Sequence, residues 1–279
     1  MIESFVIALR EGIEAALIVG IMLGYLKKVG AKALTRPVYF GIGLGVLASI
    51  GVAGFFLLLR VEFEGRFEQL FEGVTMLVAA VILTTMIIWM RNNSKTYSDN
   101  LREKVEAALT KRQSYGLASL AFVSIWREGI ETVLFLGSAS FTSSGIQLLI
   151  GGGLGLGLSA LIGVAIMKYS VRLDLRTFFN VTGILLILFA AGLVGRGILE
   201  FQEAGVIVPV IRHVYDINWL INGQSTAGKL MTALLGYDAS PSLTEIVGYV
   251  GYWVLIAFWM YRDAISSLFT RIVGSFRPA

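Results

Sequence analysis

The chain has 279 residues, of which 56% are hydrophobic and only 15% are charged, whereas a soluble domain carries about 25% charged residues. It contains no cysteine, which excludes disulfides, thiolate metal sites and iron–sulfur ligation. The composition therefore predicts a protein that lies in a lipid bilayer.

Apolar stretches long enough to cross a bilayer recur along the chain. A helix of about 20 apolar residues spans a hydrocarbon core about 30 Å thick. Seven such stretches cover residues 4–26, 37–60, 69–90, 116–139, 145–167, 178–199 and 244–265. The sequence therefore predicts an all-α polytopic membrane protein, with seven transmembrane helices in a single domain over residues 1–279.

The basic residues predict the orientation of these helices. Sixteen of the 23 lysines and arginines lie at or after the ends of the first, third, fifth and seventh stretches. Cytoplasmic segments are enriched in Lys and Arg, so we expect the N-terminus outside, the C-terminus in the cytoplasm and the protein in the cell membrane. The same distribution accounts for the net charge of +4 without nucleic acid as a partner.

A charged pentapeptide occurs twice inside the apolar stretches. Arg-Glu-Gly-Ile-Glu stands at residues 10–14 and again at residues 127–131, 117 residues later. Three stretches separate the two starts, so the second copy crosses the membrane in the opposite direction, as in the inverted repeats of transporters. The predicted repeats are residues 1–90 and 116–199, with 244–265 as an added seventh helix. Antiparallel copies place both pentapeptides near the middle of the membrane.

The two pentapeptides bring four carboxylates and two guanidiniums to one depth. A charge near the bilayer centre costs a few kcal/mol on insertion scales, so six charges need a function. Carboxylate oxygens prefer hard cations, which predicts a site for Fe(III), Fe(II), Mn(II), Mg(II) or Ca(II). Salt bridges that only join two helices are the structural alternative, but they need one glutamate per copy rather than two. The residues concerned are Arg10, Glu11, Glu14, Arg127, Glu128 and Glu131.

Acidic residues near the outer helix ends predict an access site for cations. Glu68 and Glu72 are four residues apart at the start of the third stretch and therefore share a helical face. An acidic face concentrates cations by long-range attraction. Asp238, before the seventh stretch, is a further candidate for this outer access site.

Glycines spaced four residues apart predict close helix packing. Gly20/Gly24, Gly41/Gly45 and Gly153/Gly157 have this spacing. Small residues at such positions let helix backbones approach closely in lipid.

The doubled pentapeptide resembles that of the high-affinity iron permease family, the oxidase-dependent iron and lead transporters. The likeness covers nearly the whole chain, including Phe71-Glu72-Gly73 and the segment GYDASPS at residues 236–242. Fungal members carry an outer Asp-Ala-Ser-Glu motif, whereas here Asp238-Ala-Ser is followed by Pro241. The resemblance implies that four glutamates bind iron during passage beside two arginine counter-charges: Glu11, Glu14, Glu128 and Glu131, with Arg10 and Arg127.

The resemblance also implies a transporter rather than an enzyme. Its cargo is iron, as Fe(III) or Fe(II), imported across the cytoplasmic membrane without a permanently bound cofactor. The implied partners are the lipid bilayer and iron ions, together with an extracytoplasmic oxidase or peroxidase. A homo-oligomer is compatible with the resemblance.

Two other functions are compatible with the same residues to different degrees. The carboxylate donors also suit transport of Mn(II), Pb(II) or Mg(II). An intramembrane carboxylate metalloenzyme is disfavoured, because the chain has neither the Glu-x-x-His of di-iron helices nor the His-Glu-x-x-His of zinc hydrolases.

Overall fold

The computed structural model describes residues 1–93, 103–108, 114–169, 175–219, 221, 225, 228, 231–232 and 235–275. Every regular element in these residues is helical, which confirms the all-helical prediction. The long α-helices are α1 Ile2–Lys28, α2 Thr35–Glu62, α3 Arg66–Asn93, α4 Ser114–Ser140, α5 Gly145–Tyr169, α6 Leu175–Glu203 and α7 Leu243–Ser275. A short 3₁₀ helix, Lys32–Leu34, precedes α2.

Terminal charges and two glycines set the ends of the first helices. Lys27 and Lys28 lie in the last turn of α1, where positive charge stabilises the negative end of the helix dipole. Gly30 and Gly65 follow α1 and α2 with φ values of 72° and 60°. A side chain strains this left-handed conformation, so both turns depend on glycine.

Five helices in the described residues are long and apolar enough to cross a membrane: α2, α3, α5, α6 and α7. The other two long helices, α1 and α4, are the ones that carry the charged pentapeptides. The chain is therefore a multi-pass membrane protein. The count of seven transmembrane helices and the inverted repeat stay predictions.

Three helix pairings hold the bundle together. The closest partners are α1 with α5, α2 with α4, and α3 with α6, and α7 packs on α6. A buried apolar cluster joins α1, α3, α4, α6 and α7, and it includes Ile7, Met76, Phe135, Leu186 and Tyr252. This cluster places the pentapeptide helices α1 and α4 side by side in the interior.

Glycines at two of these pairings let the backbones touch. A Cβ on Gly41 of α2 would meet the Ala118 carbonyl of α4, and one on Gly155 of α5 would lie 2.5 Å from the Phe5 carbonyl of α1. The prediction for Gly41 and Gly45 is therefore confirmed. The prediction is wrong for Gly153/Gly157 and for Gly24 of the Gly20/Gly24 pair, because a Cβ at any of these three positions would meet nothing within 4 Å. In α5 the close-packed pair is Gly151 and Gly155, two residues earlier on another face of the helix.

Candidate metal centre

The pentapeptide of α1 lies fully inside the protein. The side chains of Arg10, Glu11 and Glu14 are 1%, 1% and 2% exposed. Arg10 Nη1 donates to Glu11 Oε1 at 2.9 Å, and Nη2 is 3.0 Å from Glu14 Oε1. Arg10 Nη1 also contacts the Met86 sulfur of α3 at 3.4 Å. One guanidinium thus holds both carboxylates of its own copy.

The pentapeptide of α4 repeats this arrangement in a more open setting. Arg127 Nε donates to Glu128 Oε1 at 3.1 Å and lies 3.5 Å from Glu131 Oε1. Glu128 and Glu131 are 3% and 15% exposed, whereas Arg127 is 51% exposed. Again one arginine contacts both glutamates on its own helix, which leaves a net charge of −1 on each copy.

The central glycine of each pentapeptide sits against a serine of the partner helix. A Cβ on Gly12 would collide with the Ser159 hydroxyl of α5, and one on Gly129 would collide with the Ser49 hydroxyl of α2. Each hydroxyl donates to a carbonyl of its own helix, Leu156 for Ser159 and Gly45 for Ser49, at 2.8 Å in both cases. Both contacts depend on the absence of a side chain on the glycine. At the level of the charges, α1 therefore packs closely on α5, and α4 packs closely on α2.

Carboxylates of both copies converge between the helices. One oxygen each from Glu11, Glu128 and Glu131 lies within 4.8 Å of the others, the one such metal-compatible group in the described residues. Small divalent metals such as Zn(II) and Mg(II) bind carboxylate oxygens at about 2.0–2.2 Å, so two ligands of one such ion lie up to about 4.4 Å apart. A slight contraction would let these three glutamates hold a single ion. Glu14 lies outside the trio, so the geometry does not group all four predicted glutamates.

The carboxylates keep free ligand capacity despite their arginines. Glu11, Glu128 and Glu131 each bury an Oε2 atom without a hydrogen-bond partner in the structure. Glu14 Oε1 is likewise buried, and its contact with Arg10 lacks hydrogen-bond geometry. Buried carboxylate oxygens without partners are costly, and a cation would satisfy them.

Salt bridges alone do not explain this convergence. In the described residues, four close ion pairs of the pentapeptides each join residues of one helix, either α1 or α4. Each arginine also attracts a glutamate of the other copy, Glu131 in the case of Arg10 and Glu14 in the case of Arg127, but the carboxylates of the two copies meet as like charges. With all groups ionised, four carboxylates and two guanidiniums carry a net charge of −2, which one divalent cation neutralises.

The three predicted access residues fall into two places. Glu72 of α3 is half-buried and interacts electrostatically with Glu68 and with Glu203 of α6. Asp238 instead lines a cavity of about 430 Å³ between α6, α7 and the preceding segment. There its Oδ1 accepts a hydrogen bond from the Ser240 backbone at 2.8 Å.

Two charged residues of α6 were missed by the sequence reasoning. Glu200 interacts electrostatically with Glu72, Glu203 and Arg196, and Arg196 also lines the Asp238 cavity. Their spacing of four residues on α6 was a usable signal. This spacing indicates a role near Glu72 only when α6 is known to pack on α3.

The fold and the buried carboxylates define a multi-pass helical membrane protein with a candidate cation site between two charged helices. The chain belongs to the iron permease FTR1 family, which it matches over residues 1–266. It is 33% identical to the ferrous iron permease EfeU of Escherichia coli O6:K15:H31 over 262 residues, covering 92% of this chain and 95% of that protein. It is also 33% identical to the EfeU of Yersinia pestis over 264 residues, 93% and 94% of the two chains. No solved structure is significantly similar.

Proposed function

We propose that this protein imports Fe(II) across the cytoplasmic membrane through a site formed by Glu11, Glu128 and Glu131. The observation that carries the proposal is the convergence of three carboxylates from two helices within 4.8 Å, two of them buried and that of Glu131 largely buried. Family membership supports iron as the cargo, and the similarity to ferrous iron permeases supports the divalent state. The four glutamates and two arginines of the pentapeptides carry a net charge of −2, which one Fe(II) ion neutralises.

Glu14 has a separate role in this proposal. It lies one turn beyond Glu11 on α1 and keeps its ion pair with Arg10. An ion bound to Glu11, Glu128 and Glu131 neutralises Glu11, which weakens the ion pair between Glu11 and Arg10. Glu14 and Arg10 then supply the next carboxylate and its counter-charge along the path, so Glu14 acts after the ion is bound.

We infer that residues 1–90 and 116–199 are inverted repeats, with 244–265 added as a seventh transmembrane helix. Equivalent contacts on the two sides of the bundle support this. Gly41 and Gly45 of α2 pack on Ala118 and Phe122 of α4, whereas Gly151 and Gly155 of α5 pack on Met1 and Phe5 of α1. The offsets are constant, 110 residues between α2 and α5 and 117 between α4 and α1, and Ser49/Gly129 and Ser159/Gly12 continue the series.

The proposed orientation has the N-terminus outside and the C-terminus in the cytoplasm. Lys27, Lys28 and Lys32 lie at one end of the bundle, whereas Glu62 and Glu64 lie at the other end of α2. The absence of cysteine allows a direct test with single cysteines. Lys28→Cys is expected to react with an impermeant thiol reagent only after cells are opened, and Glu62→Cys already in intact cells. The reverse pattern contradicts the orientation.

Uptake of radioactive Fe(II) into proteoliposomes under anaerobic conditions tests the function. The natural protein is expected to accumulate Fe(II), and Glu131→Gln to lose nearly all uptake while remaining folded. Glu64→Gln, an exposed glutamate in the loop after α2, is the matched control. Competition by Mn(II) and Mg(II) distinguishes an iron permease from a transporter of those ions. Uptake that occurs only after oxygen and an oxidase are added would support Fe(III) and an external redox partner instead.

A further inference from the structure

Five buried side-chain oxygens in the described residues have no hydrogen-bond partner. Four belong to the pentapeptide glutamates, and the fifth is Oε2 of Glu3. Glu3 is 4% exposed, and its other oxygen accepts a hydrogen bond from the Ser143 hydroxyl at 3.3 Å. A buried carboxylate oxygen without a hydrogen-bond partner, which is typical of the candidate metal centre, therefore also occurs at Glu3.

Glu3 lies on the face of α1 that leads to the metal centre. It precedes Arg10 by seven residues, close to two turns at 3.6 residues a turn. Its distance along the axis from Glu11, eight residues later, is about 12 Å at 1.5 Å per residue. It is therefore too far away to bind the same ion, yet it lies along the same helix.

Two positive groups interact with the Glu3 carboxylate. Its carboxylate is attracted by the α-amino group of Met1 and by Arg196 of α6. Arg196 also attracts Glu200, which in turn interacts with Glu72. Arg196 thus attracts both the buried Glu3 and Glu200 at the outer end of α6.

An apolar layer separates Glu3 from the metal centre. Ile7 lies one turn from Glu11 in the direction of Glu3, and Phe135 lies one turn from Glu131 on α4. Both are fully buried members of one apolar cluster. A hydrated ion does not pass such a layer without rearrangement, so an ion that arrives from outside needs a site before it.

We propose that Glu3 forms a second cation site, in which an incoming divalent ion is held beside Arg196 before it passes Ile7 and Phe135. This inference rests on the proposed function. Glu3 supplies one carboxylate, the Ser143 hydroxyl supplies a further oxygen, and water completes the shell. Oxygen ligands of this kind suit a hard or borderline divalent cation.

The test counts bound Mn(II), used alone as a paramagnetic probe, by electron paramagnetic resonance on the purified full chain. The natural protein is expected to bind two ions and Glu3→Gln one. A variant with Glu11→Gln, Glu128→Gln and Glu131→Gln is expected to bind one ion, which is lost when Glu3→Gln is added. Glu62→Gln, an exposed glutamate at the end of α2, is the control and is expected to bind two.

A transport readout keeps the test independent of the triple variant's folding. Glu3→Gln is expected to raise the Fe(II) concentration for half-maximal uptake about tenfold and to change the maximal rate less than twofold, with recovery in Glu3→Asp. Equal Mn(II) binding by Glu3→Gln and the natural protein, with unchanged concentration dependence, overturns the second site but leaves the centre intact. A natural protein that binds no Mn(II) and transports no Fe(II) contradicts the proposed function itself.

Discussion

Arg10 and Arg127 occupy equivalent positions in the two pentapeptides, yet Arg10 is 1% exposed and Arg127 is 51% exposed. Arg10 is enclosed by its two glutamates and by Met86. The two copies are therefore related in sequence but not equivalent in environment, and the arginine of α1 is the more enclosed of the two.

This difference predicts unequal effects of neutralising the two arginines. Arg10→Gln leaves buried carboxylates without a counter-charge, which costs about 3–5 kcal/mol for a broken buried pair. Arg127→Gln removes a half-exposed guanidinium from the buried Glu128, so its cost is expected to lie between the about 0–1 kcal/mol of an exposed pair and that of Arg10→Gln. Thermal unfolding of the purified variants in detergent is expected to show a larger loss for Arg10→Gln than for Arg127→Gln. Equal losses would mean that the α4 copy is as enclosed as the α1 copy.

The acids at the outer ends of α3 and α6 predict an effect on ion capture. Glu72 and Glu200 attract cations jointly because their charges interact. Replacing both with Gln is expected to raise the Fe(II) concentration for half-maximal uptake several-fold and to leave the maximal rate nearly unchanged. Uptake measured over a range of Fe(II) concentrations checks this.

Salt provides the control for the capture prediction. Exposed charges are screened over about 8 Å at physiological ionic strength, so added salt is expected to reduce the difference between the natural protein and the double variant. A double variant with unchanged concentration dependence would show that these acids only stabilise helix ends.

The main features of the fold were accessible from the sequence because they depend on length and periodicity. Each of the seven apolar stretches coincides with a long helix, and the spacing of the pentapeptides predicted that α1 and α4 would meet. The register of α5 was not accessible. Gly151, Gly153, Gly155 and Gly157 lie in one run, and only the rotation of α5 against α1 decides that Gly151 and Gly155 make the contact.

The grouping of carboxylates was predictable only in part for a similar reason. Helical spacing places Glu11 and Glu14 on one face, but it does not show which carboxylate turns toward α4. In the structure both glutamates contact Arg10, but only Glu11 also lies with Glu128 and Glu131 in the group of three. Glu200 and Glu3 were not assigned because their roles depend on α6 lying against α3 and on the burial of the α1 terminus.

The separation of Glu14 from the trio predicts different outcomes for two similar substitutions. Glu131→Gln removes one of three ligands and is expected to weaken Mn(II) binding at the centre by at least about 100-fold, since even an outer-shell partner is worth about 10–100-fold. Glu14→Gln is expected to leave binding within a few-fold of the natural protein but to slow Fe(II) release into proteoliposomes. Binding titrations and uptake rates on the same preparations separate the two effects.

The double variants complete this comparison. Residues that act as a unit are strongly non-additive, so Glu11→Gln combined with Glu131→Gln is expected to be little worse than either change alone. If Glu14→Gln weakens Mn(II) binding as much as Glu131→Gln, all four glutamates bind the ion together, as the sequence alone predicted.

The contacts of Gly12 with Ser159 and of Gly129 with Ser49 predict a specific rescue. Gly12→Ala places a methyl group against the Ser159 hydroxyl, and such overpacking costs about 1–3 kcal/mol. The variant is expected to unfold at a lower temperature and to bind Mn(II) more weakly, because α1 moves away from α5 at the level of Glu11. Adding Ser159→Gly removes the clash and is expected to restore most of both properties.

Gly43→Ala, where a Cβ meets nothing within 4 Å, is the control and is expected to be neutral. Failure of Ser159→Gly to rescue Gly12→Ala, while Ser49→Gly does rescue Gly129→Ala, would show that only the α2–α4 side of the bundle positions the carboxylates.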